Sequence, residues 1–188
     1  VNSSGPRIIA GLWKGKKLAA PAGEGTRPTS GRARQAVFDI LMHAPWAGAD
    51  FLSQARVLDA FAGTGAYGLE AMSRGAVTAT FFENGREALA ALRKNIAACG
   101  VEAKTRVMAK DALKPPPGHP HDIVFLDPPY GQEAVPRALV ALRQAGWVAP
   151  GALVVAEFGP GDVVPAHGHC LAERVHGKAR LIFWKTMP

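Results

Sequence analysis

Arg56-Val57-Leu58-Asp59-Ala60-Phe61-Ala62-Gly63-Thr64-Gly65-Ala66-Tyr67-Gly68 is the stretch on which the fold turns. A short apolar run ends at an acid, passes through glycines at GxGxxG spacing and continues into helix-forming residues. That order predicts a buried strand, a tight loop and a helix running from about Tyr67 to Arg74. Outward from it the same alternation repeats. Val77 to Phe82, Lys104 to Met108, Asp122 to Leu126 and Ala152 to Glu157 read as strands, with helices predicted over Arg86 to Ala98 and Glu133 to Gln144. Repeated strand–helix units imply an α/β fold with an open, mostly parallel sheet and helices on both faces. In such sheets ligands sit at the carboxyl ends of the strands, so function belongs in the loops after strands one to four. Cys170 to His176 and Arg180 to Trp184 are two further strand candidates in the tail.

The glycine loop alone is compatible with any nucleotide-like ligand. Glycine lets the chain turn sharply and lets a ligand approach the backbone closely. Asp59 directly before the loop would repel a pyrophosphate, as in a nicotinamide dinucleotide. It would receive, directly or through water, the ammonium end of an amino-acid-bearing cofactor such as S-adenosylmethionine. Glu83, ending the second strand, is placed to accept ribose hydroxyls in either cofactor class. Asp111, after the third strand, is a candidate for the adenine amino group, though a lone Asp there also reads as a helix N-cap. The candidate donor-binding set is Asp59, Phe61, Gly63, Thr64, Gly65, Gly68, Glu83, Asp111 and Asp127.

Asp127-Pro128-Pro129-Tyr130 follows the apolar run Ile123-Val124-Phe125-Leu126 and is the most specific signal in the chain. Two prolines fix the backbone and remove two N–H donors, leaving carbonyl oxygens and a carboxylate, all acceptors. A ligand that wants acceptors alone is an amino group, and Tyr130 adds a flat face for stacking a base. The lone pair of an aromatic amine is delocalised into its ring. Hydrogen bonds from both N–H groups to Asp127 and a loop carbonyl favour a pyramidal nitrogen with its lone pair aimed at a sulfonium methyl. Asp127, Pro128, Pro129 and Tyr130 are therefore the candidate catalytic residues. A plain strand terminator is the other reading of Pro-Pro.

The chain has 188 residues and a formal net charge of +7, with 48% hydrophobic and 20% charged residues. That is one well-filled core, neither disordered nor fibrous. No apolar run approaches the ~18 residues of a membrane span, and no signal-peptide pattern opens the chain, so a soluble cytoplasmic protein that does not engage membranes is expected. Residues 1–42 hold seven basic groups (Arg7, Lys14, Lys16, Lys17, Arg27, Arg32, Arg34) against Glu24 and Asp39, a net of +5. Residues 43–188 carry only +2, from 15 basic and 13 acidic groups. A basic end on a near-neutral body suits a phosphate backbone, and a solvated face equally well. Arg7 to Leu18 reads as a small β-hairpin, followed by a helix that Thr29 or Ser30 caps and that ends before Pro45. Six histidines and two cysteines show no metal-ligand spacing; Cys99 and Cys170 are expected to be buried small hydrophobes.

With these residues assembled, the chain resembles the bacterial small-subunit (16S) ribosomal RNA guanine-N2 methyltransferases of the RsmD family, nearly end to end. The resemblance is carried by Arg7-Ile8-Ile9-Ala10-Gly11 with Lys14 to Leu18, and by Arg27-Pro28-Thr29-Ser30 with Arg34 and Phe38. Asp59 to Gly68, Leu69-Glu70-Ala71 with Ser73-Arg74-Gly75-Ala76, and Asp127 to Tyr130 complete it. Gly31 and the turn His176-Gly177-Lys178-Ala179 depart from the family pattern. The resemblance implies a class I, Rossmann-like methyltransferase sheet of seven strands with an antiparallel tail hairpin. It also implies S-adenosylmethionine as cofactor and 16S rRNA, within a small-subunit assembly particle, as partner.

The expected division is residues 7–28 as a basic hairpin extension that contacts RNA and residues 29–188 as a methyltransferase domain acting as a monomer. Residues 7–34 would grip the RNA backbone through the seven basic groups Arg7, Lys14, Lys16, Lys17, Arg27, Arg32 and Arg34, and the target guanine would be extruded onto Tyr130. Three other readings remain open at this point. An adenine-N6 methyltransferase would use the same proline loop, an NAD oxidoreductase the same glycine loop, and a non-catalytic RNA-binding module neither.

Overall fold

The computed structural model describes residues 5–21, 31–47, 50–129, 133–164, 168–177 and 179–187. In chain order its elements are α1 (Gly31–His43), β1 (Arg56–Asp59), α2 (Ala66–Ser73), β2 (Thr78–Phe82), α3 (Arg86–Cys99), a 3-10 turn (Glu102–Lys104) and β3 (Thr105–Met108). Then come β4 (His121–Leu126), α4 (Ala134–Gln144), β5 (Val148–Phe158), β6 (His169–His176) and β7 (Ala179–Lys185). The strands form one sheet in the order β3-β2-β1-β4-β5-β7-β6. β1 to β5 run parallel, while β7 enters antiparallel between β5 and β6. This is the seven-stranded, mostly parallel sheet with a tail hairpin that the sequence predicts.

Strand alternation sends successive side chains to opposite faces, and both faces are covered. Val57, Phe81, Ile123, Phe125, Val155 and Phe183 pack with Val37 and Phe38 of α1, Leu69 of α2 and Leu92 of α3. Leu58, Phe82, Val124, Leu126, Val154 and Trp184 pack on the other side with Leu139 and Leu142 of α4 and with Trp147. β4 therefore reads as a continuous apolar run because neither of its faces meets water. β5 begins earlier than the sequence suggests. Pro150 and Gly151 mask its start, where Val148 pairs with His121 before a register shift.

Gly65 precedes α2 with φ 82°, a left-handed conformation that side-chain-bearing residues rarely adopt. At Gly68 a Cβ would lie 2.3 Å from the Phe81 ring, so only glycine lets α2 pack this closely on β2. These two residues explain the loop as a structural device before any ligand is considered.

The predicted hairpin is present in minimal form: Arg7 and Lys17 pair antiparallel, with Ile8 N donating to Lys16 O at 3.0 Å, Gly15 N to Ile8 O at 2.8 Å and Leu18 N to Pro6 O at 2.8 Å. The chain between them spends its backbone groups on α2 instead of on a partner strand. Ile9 N and Ala10 N donate to Glu70, Leu12 N to Ser73 O and Trp13 N to Ser73 Oγ. Ile8 and Leu18 are buried in the same core as α1 and α2. Cys99 is buried and Cys170 exposed, both as free thiols, so the expectation of burial fails for Cys170, whose edge strand β6 leaves it uncovered. No helix among the described residues is long and apolar enough to cross a membrane, and no group of three or more metal-type side chains gathers among them.

Candidate active site

The carboxyl ends of β1, β2, β3 and β4 carry Asp59, Glu83, Asp111 and Asp127 along one edge of the sheet. Asp59 is only 2% exposed. Its Oδ2 accepts from Gly68 N at 3.0 Å, which ties the end of β1 to the first turn of α2. Burial pushes its carboxyl up to about 7; the charges of Asp127 and Glu83 add to this, while the Gly68 N–H and the Arg34 guanidinium oppose it. Those influences place Asp59, Glu83 and Asp127 within one electrostatic neighbourhood. The carboxylate is too enclosed to be a first contact for an incoming ammonium, which leaves the water-mediated form of the sequence reading.

Glu83 holds the glycine loop from the side. Its Oε2 accepts from Gly63 N at 2.7 Å, and its Oε1 from Asn84 N at 2.9 Å and Gly85 N at 2.7 Å. Three amide donors fix the carboxylate; Oε1 accepts two of them, and of the roughly four lone-pair sites of a carboxylate the one left for a ligand hydroxyl lies on Oε2. Gly63 itself adopts φ 53° and a Cβ there would meet nothing within 4 Å, so bare backbone faces open space beside Glu83. Asp111 accepts from Leu113 N at 2.8 Å through Oδ1 and closes a turn rather than capping a helix. Phe61 packs half-buried against the α4-side core. The Thr64 carbonyl accepts from Asn95 Nδ2 at 2.9 Å.

Asp127 is half-buried, Pro128 buried and Pro129 exposed, directly beyond β4. Tyr130 lies outside the described residues. Beneath this loop Tyr67 stacks on Phe125, ring centroids 5.0 Å apart and 19° between planes. Burial, then the charges of Asp127 and Glu157, hold the Tyr67 phenol well above its ordinary range, so it stays a neutral hydroxyl. Glu157, near the end of β5 and 8% exposed, lines one cavity with Tyr67 and Asp127 and a neighbouring cleft with Pro128, Pro129, Phe158 and Asp162. Tyr67 and Glu157 are absent from the sequence-derived set. Tyr67 sits in plain view at the x position of GxGxxG, whereas Glu157 is visible only as an acid ending an apolar strand.

The basic residues divide sharply. Arg7, Lys14, Lys17 and Arg32 are exposed. Lys16 is half-buried and its ammonium bonds the Ala98 carbonyl. Arg34 is corrected: it is 1% exposed, its guanidinium donates to the Arg7 carbonyl, and its Nε lies 3.9 Å from Glu70 Oε2. Helical spacing from Val37 and Phe38 turns Arg34 inward, so it cannot meet an RNA backbone. Arg27, Thr29 and Ser30 lie outside the described residues.

Sequence reasoning also missed two organisers. Glu70, fully buried, accepts from Ile9 N at 2.7 Å, Ala10 N at 3.0 Å and Arg74 Nε at 2.8 Å. Asn95, 2% exposed, bonds the Ala19 backbone in both directions as well as Thr64 O, joining the N-terminal segment to the glycine loop. A lone carboxylate in the apolar helix Ala66–Ser73 was the available signal for Glu70.

Comparison with known proteins agrees with this geometry. A family model described as "Conserved hypothetical protein 95" matches residues 6–185. "Ribosomal RNA small subunit methyltransferase D" of Haemophilus influenzae is 38% identical over 156 residues, 80% of this chain and 77% of the relative. The protein of the same name from Escherichia coli K12 is 37% identical over 177 residues, 92% of this chain and 85% of the relative. Among solved structures, yhhF from Escherichia coli superposes with a TM-score of 0.82 at 36% identity, covering 97% of this chain and 98% of that one. On the matched family model and these relatives, the chain belongs to the RsmD family of ribosomal RNA small subunit methyltransferases.

Proposed function

We propose that this chain transfers the methyl group of S-adenosylmethionine to the exocyclic N2 amino group of a guanine in 16S rRNA, acting as a monomer on small-subunit assembly particles in the cytoplasm. The observation that supports this best is the acceptor-only loop Asp127-Pro128-Pro129 at the end of β4, beside the glycine loop and Glu83. The residues suit the donor. Bare backbone at Gly63 faces open space, Glu83 Oε2 supplies a fixed acceptor for a ribose hydroxyl, and Asp111 offers a carboxylate for the adenine amino group. Bound there, the donor supplies an electrophilic methyl on a cationic sulfur.

The chain's own part is positioning and electrostatics. Asp127 and a proline-loop carbonyl accept the two amino hydrogens and turn the nitrogen lone pair away from the ring. Alignment of this kind contributes about 7–11 kcal/mol when reacting atoms are held near attack distance. The acidic strand ends favour the cationic donor over neutral analogues. Residues 7–28 serve as the RNA-contacting extension of a methyltransferase domain over 29–188, with Arg7, Lys14 and Lys17 as its exposed cations and Arg32 exposed at the start of α1. Tyr130 provides the stacking face for the extruded base.

The test is transfer of labelled methyl from S-adenosylmethionine to small subunits that lack their own modifications, comparing wild type with Asp127→Ala. Label should enter the RNA with wild type and fall by about 10²–10³ in the variant, the cost of losing a transition-state hydrogen bond. Equal labelling by both proteins would remove Asp127 from the mechanism, and no labelling by either would remove the function.

A further inference from the structure

The near-neutral total of residues 43–188 conceals a segregation of charge. Between residues 86 and 114 seven basic residues stand against three acidic ones, a net of +4. Arg34, Arg56, Arg74 and Arg180 each lie within ion-pair distance of a carboxylate. Arg86, Arg93, Lys94, Lys104, Lys110 and Lys114 are all exposed, and none of them makes such a pair among the described residues.

Their positions follow the architecture. Arg86 opens α3 directly after Gly85, and Lys110 stands beside Asp111, so both mark the rim of the donor-binding edge. Arg93 follows Arg86 by two helical turns on the same face of α3. Lys104 leads into β3, the outermost strand on this side of the sheet. At the far end of α3 the Lys16 ammonium bonds Ala98 O, and Asn95 bonds Ala19, which fixes the segment carrying the exposed Lys14 and Lys17 to the same helix. Positive charge without partners thus runs from the rim of the site along α3 to the N-terminal segment. Like charges held this way repel one another and disfavour the compact state, a cost that a polyanion relieves.

We infer that the exposed face of α3 and the β3 edge bind the phosphate backbone of the RNA substrate outside the target nucleotide, as a second contact surface beside the N-terminal segment. The inference rests on the RNA-methylating function proposed above. Each phosphate contact releases counterions, so affinity falls with salt in proportion to the number of contacts.

The experiment measures binding to transcribed small-subunit RNA across salt concentrations, for wild type and for the doubles Arg93→Ala with Lys94→Ala and Lys104→Ala with Lys114→Ala. Each double should lower the slope of log affinity against log salt by about 1.4, at roughly 0.7 per single-strand contact, with donor binding by calorimetry unchanged. Unchanged slopes and affinities in both doubles would overturn the inference. So would full affinity for naked RNA with lost methylation of assembly particles, which assigns the surface to a ribosomal protein. Failure of the proposed function is distinct, since wild type itself would then transfer no label to RNA.

Discussion

Asp59 sits under the glycine loop with its carboxyl raised by burial to about 7, nearly in balance between its two forms at neutral pH. The folded chain therefore holds this proton more tightly than the unfolded chain, whose Asp ionises near its ordinary value. The resulting stabilisation is complete below about pH 4 and is lost as pH rises through about 7. Its span is about 4 kcal/mol at the usual 1.36 kcal/mol per pH unit. Urea unfolding from pH 4 to 8 should show wild type losing stability relative to Asp59→Asn across that window; parallel profiles would show that the carboxyl is not raised. A cation bound nearby favours the ionised form, so donor binding near pH 7 should release a proton. Calorimetry in buffers of different ionisation heat reads this directly.

At the scale of elements, the contact between α2 and its neighbours explains why the sequence was legible in some places and opaque in others. The glycine loop, the order of strands and the two-faced core follow from periodicity and turn chemistry, which are local properties. Gly68 belongs to this legible part: Gly68→Ala drives a methyl into the Phe81 ring and should cost about 1–3 kcal/mol in chemical denaturation. A variant as stable as wild type would mean that α2 can shift freely on β2.

Glu70 belongs to the opaque part, because its partners Ile9, Ala10 and Arg34 are distant in sequence. The same long-range network drew Arg34 inward, although its charge suggested a surface role. Glu70→Ala leaves two buried guanidinium groups without their carboxylate and should cost about 3–5 kcal/mol. It should also speed hydrogen exchange at Ile9 and Ala10, and unaltered exchange there would contradict the anchoring role.

Over the whole molecule, one edge of the sheet gathers the four acidic strand ends, while exposed cations lie along the N-terminal segment and α3. The first feature was readable because Asp59, Glu83 and Asp127 each directly follow an apolar run, with Asp111 three residues beyond the end of β3. The second was hidden by the near-zero balance of residues 43–188, which only the fold resolves into a basic flank and a slightly acidic remainder. Acidic groups at the donor edge suit a cationic cofactor, and basic groups around it suit a polyanionic substrate.

The most direct measurement is the identity of the methylated nucleoside. Small subunits lacking their modifications would be incubated with labelled S-adenosylmethionine and this protein, and the RNA digested and analysed by mass spectrometry. N2-methylguanine carrying the label is the predicted result. Label in N6-methyladenine would keep the acceptor loop and contradict the guanine assignment, and label in no nucleoside would contradict the account as a whole.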